Sequence, residues 1–326
     1  MKWSRLTAVA GGLALMASSV VPAFAEPVSQ APGNMCQTSS TESGGDARRV
    51  QAVLVHGDTV YIGGRFNQVM PPNGGAPVTR NYLAACSLTT GQILPWNPNP
   101  AGTVTTGGGI VYALATDGTR IYAGGAFDSV GGQAVRGGLV ALDPNPMNAN
   151  PTPLLWGDNK NPGVNNSKSV KALALSPDKQ TIYVGGTFNR ATTVGIVTPV
   201  ERVGAAAFST VDGTLKDWHP TILSETQAEC PPVEEDPTCE EDAPEPEEIR
   251  ALIARSDKII AAGYFRLPSS VDDEGHIAAF HPVTGAELPW EYKPDYPLIA
   301  LADAGTRIYA AGAGTGVSKN TLTGFN

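Results

Sequence analysis

Charge is scarce in this chain, and basic charge is scarcest: 22 Lys and Arg stand against 31 Asp and Glu in 326 residues. Ten of the acids fall between positions 229 and 248: Glu229, Glu234, Glu235, Asp236, Glu240, Glu241, Asp242, Glu245, Glu247 and Glu248. Setting those ten aside moves the formal net charge from −9 to +1, so the rest of the molecule is near neutral. That excludes the basic surface on which nucleic-acid binding depends. Helical periodicity is missing beyond the first 25 residues, and no later apolar run is long enough to span a bilayer. The four cysteines have no CxxC spacing, and His56, His219, His276 and His281 have no metal-ligand spacing. A Gly-x-Ser-x-Gly elbow and a Walker loop are absent too, which leaves little recognisable catalytic equipment.

What is present begins with Lys2 and Arg5, an apolar stretch over 6–21 and the small-residue site Ala23-Phe24-Ala25. This pattern predicts a signal peptide over 1–25 and an exported chain starting near Glu26, localised outside the cell or at its surface. Four cysteines in an exported chain are expected to pair, with three pairings possible. Cys230 with Cys239 would pin the acidic insertion over 221–248, and Cys36 with Cys86 would staple the N-terminal segment, 26–49, to the first of a series of repeats. The second pair closes a loop of about 50 residues, for which chain entropy gives roughly 4 kcal/mol.

The repeats occupy the remainder of the chain. Val50-Gln51-Ala52-Val53 precedes Tyr61-Ile62-Gly63-Gly64, Val111-Tyr112-Ala113-Leu114 precedes Tyr122-Ala123-Gly124-Gly125, and Val170-Lys171-Ala172-Leu173 precedes Tyr183-Val184-Gly185-Gly186. Weaker copies pair Ile249-Arg250-Ala251-Leu252 with Ile260-Ala261-Ala262-Gly263, and Leu298-Ile299-Ala300-Leu301 with Tyr309-Ala310-Ala311-Gly312. The first four units run on into a third apolar segment, such as Ala205-Ala206-Ala207-Phe208, and a fourth ending in Trp, and the fifth stops after its third. Four hairpin-linked antiparallel strands that restart every 50 to 80 residues predict an all-β fold, a β-propeller of four-stranded blades. The blades fall at about 50–98, 111–156, 170–219, 249–291 and 298–326, the last incomplete. Either 26–49 supplies the missing strand or further blades and domains lie beyond Asn326; the Ser-, Gly- and Pro-rich composition of 26–49 favours the second.

Recurring residues answer a recurring packing problem. Gly64, Gly125, Gly186 and Gly263 are expected to let the neighbouring sheet approach closely. Ala in the first strands suits a crowded innermost position with no room for large side chains. Phe66, Phe127, Phe188 and Phe265, with Trp96, Trp156, Trp218 and Trp290, are the fillers between blades, each burying about 150–250 Å².

The Gly-Gly-x-Phe run, a basic residue before the third strand (Arg80, Arg136, Arg202, Lys319), the Thr-Gly turns and the terminal Pro-Trp or Asp-Trp resemble the delta sixty repeat propellers of secreted bacterial proteins. The resemblance covers nearly all of the mature chain and implies a propeller ectodomain with no shared catalytic residue. The second unit lacks the Thr-Gly turn, and the fourth has Glu274 where the basic residue belongs. A looser likeness to quinoprotein docking motifs falters at Ser87 and His281, which stand where Asp is expected.

Turns between first and second strands and between third and fourth are short, whereas the other connections are long, so elaboration gathers at one end and predicts the ligand surface there. There the acidic insertion joins Asp272, Asp273 and Glu274, oxygen ligands that could hold calcium; no other cofactor is expected. The basic residues before the third strands would cap carbonyls of the adjacent blade. The expected function is a secreted or cell-surface, non-catalytic binding or display module for a glycan or an extracellular protein. The alternative is an enzyme on the same scaffold, a glycosidase or lyase, or a quinone- or calcium-dependent oxidoreductase.

Overall fold

The computed structural model describes residues 35–41, 48–102, 109–156, 162–165, 169–192, 198–223, 248–270, 275–290, 292, 294, 297–313 and 320–325. All of them belong to the unit Asn34–Asn326; the other unit, Met1–Gly33, and with it the expected signal peptide, lies outside the described residues. The fold is all-β, its one helical turn among the described residues being the 3-10 turn Pro268–Ser270. No helix among them is long and apolar enough to cross a membrane.

Five antiparallel sheets follow one another along the chain. The first is built from Arg49–His56, Thr59–Arg65 and Leu83–Ser87, the second from Ile110–Thr116, Ile121–Ala126 and Leu139–Leu142, and the third from Val170–Leu175, Thr181–Gly186 and Ala205–Ser209. The fourth adds a fourth strand: Glu248–Ala254, Ile259–Phe265, Gly275–Phe280 and Glu287–Leu288. The fifth holds Leu298–Asp303, Ile308–Ala313 and Asn320–Phe325. Within each sheet the strands pair antiparallel in chain order, the first and second joined by a short turn and the second and third by a longer connection.

The expectation of four strands in each of the first four sheets needs correction. In the first and third sheets the fourth segment makes a single bridge, Cys86 to Ile93 and Phe208 to Leu215, and in the second only Leu154 N–H reaches back to Ala141 C=O. In the first sheet Pro95 follows at once and has no N–H to extend the ladder. Segment 26–49 likewise carries a short strand, Gln37–Ser39, paired with Gln68–Met70 of the connection after the second strand of the first sheet. Equivalent pairings occur ahead of the later sheets: Ala101 with Ser129, Gly163–Val164 with Ala191 and Thr192, and Leu223 with Arg266. Gln37–Ser39 thus occupies the place of an incoming connection rather than of a fourth strand for the fifth sheet.

Short turns share one end of each sheet, as the strand alternation predicts. Asp58, in the first turn, accepts hydrogen bonds from Thr89 Oγ1 at 2.5 Å and from Ser87 Oγ and the Thr89 backbone N–H at 2.9 Å in the third-strand turn. These donors hold its carboxyl below the ordinary aspartate value. In the third sheet Thr210 Oγ1 donates to Lys179 C=O at 2.8 Å in the same way.

Successive sheets pack face to face, and each shared core draws on both. Tyr61, Leu83, Ala85 and Trp96 of the first sheet meet Val111, Ile121, Phe127 and Leu142 of the second. Tyr122, Leu139 and Trp156 meet Val170, Ile182, Phe188 and Phe208, and Tyr183, Ala207 and Trp218 meet Ile249, Phe265 and Phe280. The Trp therefore faces the following sheet and the Phe the preceding one. Edge-on Tyr–Trp pairs recur within the first three sheets, with ring centroids 5.0, 5.1 and 4.9 Å apart. Trp96 Nε1 donates to Asp143 C=O at 2.9 Å and Trp218 Nε1 to His281 C=O at 3.1 Å, which ties each ring to the next sheet. Trp290 is only half-buried; Ile260 stands where its tyrosine partner would be.

The glycine pair divides two tasks where one was expected. A Cβ on Gly63, Gly124 or Gly185 would lie 2.6, 2.5 or 2.5 Å from Val111, Val170 or Ile249 of the following sheet, so these glycines are sockets for the next sheet's knob. Gly64, Gly125, Gly186 and Gly263 instead press on their own first strand, where a Cβ would meet the carbonyls of Arg49, Ile110, Ser169 and Glu248 at about 2 Å. At that point every first strand carries a β-bulge.

The basic residues before the third strands also act otherwise than expected. Arg80 donates to Thr79, Leu94 and Pro95 carbonyls, and Arg202 to Glu201 C=O with Asp217 3.9 Å away, all within their own sheets. They fasten the fourth segment to the third strand, and burial pulls both guanidinium groups below their ordinary value.

Candidate functional site

The five bulges decide where the cavity chemistry lies. The residue left out of the ladder is Gln51, Tyr112, Lys171, Arg250 and Ile299 in the five sheets in turn. An extra residue in a bulge has no cross-strand partner and its side chain is re-aimed. All five line one cavity of about 520 Å³, together with Arg49, Arg65, Ile110 and Glu248. The expectation that only small side chains fit the innermost strands is thereby corrected: long side chains from the bulges stand in the cavity, and of the alanines that follow them Ala172 alone is buried while Ala300 is exposed. Every lining residue lies at the start of a first strand or the end of a second. Those are the ends from which the long connections leave.

Electrostatics give the wall a sign. Lys171 lies 3.7 Å from the centre of the Tyr112 ring and 3.2 Å from Glu248, linking the second, third and fourth sheets. Arg250 Nε donates to Glu248 at 2.6 Å, with its guanidinium 5.0 Å from the centre of the Tyr264 ring. Glu248 is buried, and a buried carboxylate requires such pairing. Among the described residues it is the one acid on the wall, against four cations. The other two cations, Arg49 and Arg65, are a directly opposed cross-strand pair in the first sheet. Like charges so placed repel.

Glu248 is the residue that sequence reasoning misplaced. Grouped with the acidic insertion, it belongs to the first strand of the fourth sheet and is fixed by two cations. The signal that could have found the lining was the variable position between a branched aliphatic residue and Ala in each first strand, Val in three copies, Ile249 and Leu298 in the others. Asp272, Asp273 and Glu274, Cys230 and Cys239, and Lys319 lie outside the described residues, as does the acidic insertion from 224 to 247. Arg136 is exposed and lines a smaller hollow of about 230 Å³ between the second and third sheets, beside Asn165 and Thr192. Cys36 and Cys86 stand at bonding distance, with Cα atoms 6.4 Å apart, as the sequence predicts. Phe66, Phe127, Phe188, Phe265, Trp96, Trp156 and Trp218 are all buried fillers and none reaches the cavity.

No protein-family model and no curated protein matches the chain. Among solved structures it is similar to the computationally designed Ika8 protein, at 14% identity over 82% of this chain with a TM-score of 0.42, and to a chain of the mitotic checkpoint complex, at 12% identity over 81% with a TM-score of 0.39. It spans 56% and 61% of those two chains respectively.

Proposed function

We propose that the five sheets are blades of a β-propeller of the delta sixty repeat kind, carried by an exported protein that serves as a non-catalytic binding module at the long-connection end of the blades. One observation carries this reading: bulged residues from all five first strands converge on a single cavity at that end. Consecutive sheets that pack face to face and present equivalent positions to one central space have the arrangement of propeller blades. Residues there vary, Gln, Tyr, Lys, Arg and Ile, while the packing frame around them repeats. Variation confined to a cavity on a constant scaffold is what a recognition site requires. The wall's one described acid, Glu248, is neutralised where it stands, whereas glycoside hydrolysis works through two carboxyl groups. A bonded Cys36–Cys86 pair fits an oxidising, extracellular setting.

The test is a glycan array probed with the chain and with Gln51→Trp, which plugs the cavity from an exposed position. Binding lost in the plugged protein at unchanged melting temperature supports the cavity; binding untouched by the plug defeats it. A deletion of 229–247 that leaves affinity unchanged removes the acidic insertion from recognition.

A further inference from the structure

We infer that the hollow between the second and third sheets is a second binding site, for a carboxylate carried on a short aliphatic stem, with Arg136 and Thr192 as its receiving groups. It shares no residue with the larger cavity and does not rest on the reading of that cavity. Arg80, Arg136 and Arg202 stand at one position of the repeat, yet only Arg80 and Arg202 turn their guanidinium groups onto carbonyls of their own sheets. The backbone supplies the reason. Arg80 and Arg202 donate their own N–H groups to Asn67 C=O and Asn189 C=O, whereas in the second sheet the equivalent bond, to Asp128 C=O, comes from Val135. Arg136 is therefore one place out of register. Tyr82, Gly138 and Gly204 share a left-handed backbone, with φ of 61°, 69° and 65°, but only in the second sheet is the preceding residue left-handed as well, Gly137 at φ 52°. Arg136 is exposed, and its guanidinium has no hydrogen-bond or ion-pair partner among the described residues.

The facing wall is held against it by two more bare positions. A Cβ on Gly163 would lie 2.3 Å from Arg136 C=O and one on Gly137 would lie 2.1 Å from Val164 C=O, so the two backbones touch there. Gly163–Val164 in turn pairs with Ala191 and Thr192. Thr192 is 4% exposed and its hydroxyl has no hydrogen-bond partner among the described residues, a state that buried hydroxyls ordinarily avoid. A carboxylate oxygen supplies that partner, and the fork of a free guanidinium matches the same group in parallel hydrogen bonds. Asn165 is already engaged, with Asn189 and the Arg190 N–H. Val164, Ala191 and Pro199 complete the wall and select the stem. A sugar ring would set its hydroxyls against them at a desolvation cost that an aliphatic group escapes. The volume of about 230 Å³ suits such a group. It falls below the roughly 300–1,000 Å³ of pockets for drug-sized ligands.

The experiment is a titration of the intact chain followed by NMR at the amide signals of Gly137, Gly163 and Ala191. The probes are N-acetyl-alanyl-alanine, the same dipeptide as its C-terminal amide, butyrate and inorganic phosphate. The free acid is expected to bind at least about tenfold more tightly than the amide, because the charge-assisted bonds go with the carboxylate. Arg136→Gln should erase that preference at an unchanged melting temperature. Thr192→Val keeps the side-chain shape and should weaken acid binding several-fold, with the melting temperature unchanged or raised because an unpaired buried hydroxyl is removed. A lowered melting temperature would show that the hydroxyl serves the fold and overturn its assignment. Gln51→Trp, which plugs the larger cavity, should alter none of this; acid binding lost in that variant places the ligand in the larger cavity and overturns the second site. Butyrate binding as tightly as the dipeptide assigns the hollow to short free acids, and a tighter dipeptide assigns it to a peptide chain end; both outcomes support the carboxylate and stem. Three results overturn the inference and leave the larger cavity's reading standing: equal binding of acid and amide, phosphate binding as tightly as either acid, and amides unmoved by about 10 mM of every probe.

Discussion

Val50 and its four counterparts occupy one position in five sheets and meet two different environments. Val111, Val170, Ile249 and Leu298 are fully buried, each the knob that its sheet presses on the one before. Val50 is 43% exposed, and Val53 and Val55 further along the same strand are 62% and 53% exposed. The difference lies in cover rather than sequence. The first sheet's outward-facing cluster, Val60, Ile62, Phe66, Val69, Ala84 and Cys86, is closed by Met35, Cys36 and Ile93 instead of by a neighbouring sheet. Where the second, third and fourth sheets end their third strand with Leu142, Phe208 and Phe280, the first ends it with Cys86, bonded to the segment that covers it. A covalent bond thus does at one face what apolar packing against a neighbouring sheet does at the others.

That contrast can be broken at several points. Trp218→Ala should cause the largest loss, about 3–5 kcal/mol, because it opens a cavity between the third and fourth sheets and strips His281 C=O of its donor. Equilibrium denaturation in urea would register it as a lowered midpoint. Next, replacing both Cys36 and Cys86 by Ser should cost up to about 4 kcal/mol, the chain-entropy value for a 50-residue loop. Hydrogen exchange should then show protection falling in Thr59–Arg65 and Leu83–Ser87 before the other sheets. Loss spread evenly over all five sheets would mean the cover is not local.

Asp117→Asn probes a smaller interaction, about 0.5–1.5 kcal/mol. Burial pushes the Asp117 carboxyl up, but hydrogen bonds from the Tyr122 hydroxyl at 2.7 Å and from Thr119 and Arg120 outweigh it and hold its pKa below the usual carboxylate value. A depressed carboxylate stabilises the fold above its unfolded pKa, and this contribution is lost as pH falls through the folded value. The gap in stability between wild type and variant should therefore be full at neutral pH and close below about pH 4. Tyr122 moves the opposite way, its hydroxyl raised first by burial and then by Asp117, so its share persists up to about pH 10 and fades above it. Smallest of all, Val53→Thr on the open face should change stability by no more than about 0.5 kcal/mol. A loss above about 1 kcal/mol would show that Val53 is covered in solution.

Much of the architecture was legible in the residues. Tyr61, Tyr122 and Tyr183, each followed by its glycine pair, mark the second strands, and the spacing of Trp96, Trp156 and Trp218 fixes where each unit ends. Cys36 with Cys86 could be chosen from three pairings because one cysteine falls in a repeat and the other just ahead of it. The cavity was hidden for a physical reason. Its residues share a backbone irregularity and no side-chain type, so Gln51, Tyr112, Lys171, Arg250 and Ile299 leave no compositional trace. Glu248 was hidden by its neighbours, since ten acids in twenty positions look like one solvated run. The placement of Arg80 and Arg202 was hidden because a basic residue ahead of a strand reaches its own sheet and the next equally well on paper.

Each bulge residue stands outside the ladder that holds its sheet together. On the proposed reading of the cavity as a binding site, exchanging Gln51 for another polar residue would alter its selectivity, while every rung of the Val50–Gly64 and Ala52–Gly63 pairing stays in place. Under that reading, five such sites let selectivity drift one substitution at a time without the architecture ever being renegotiated.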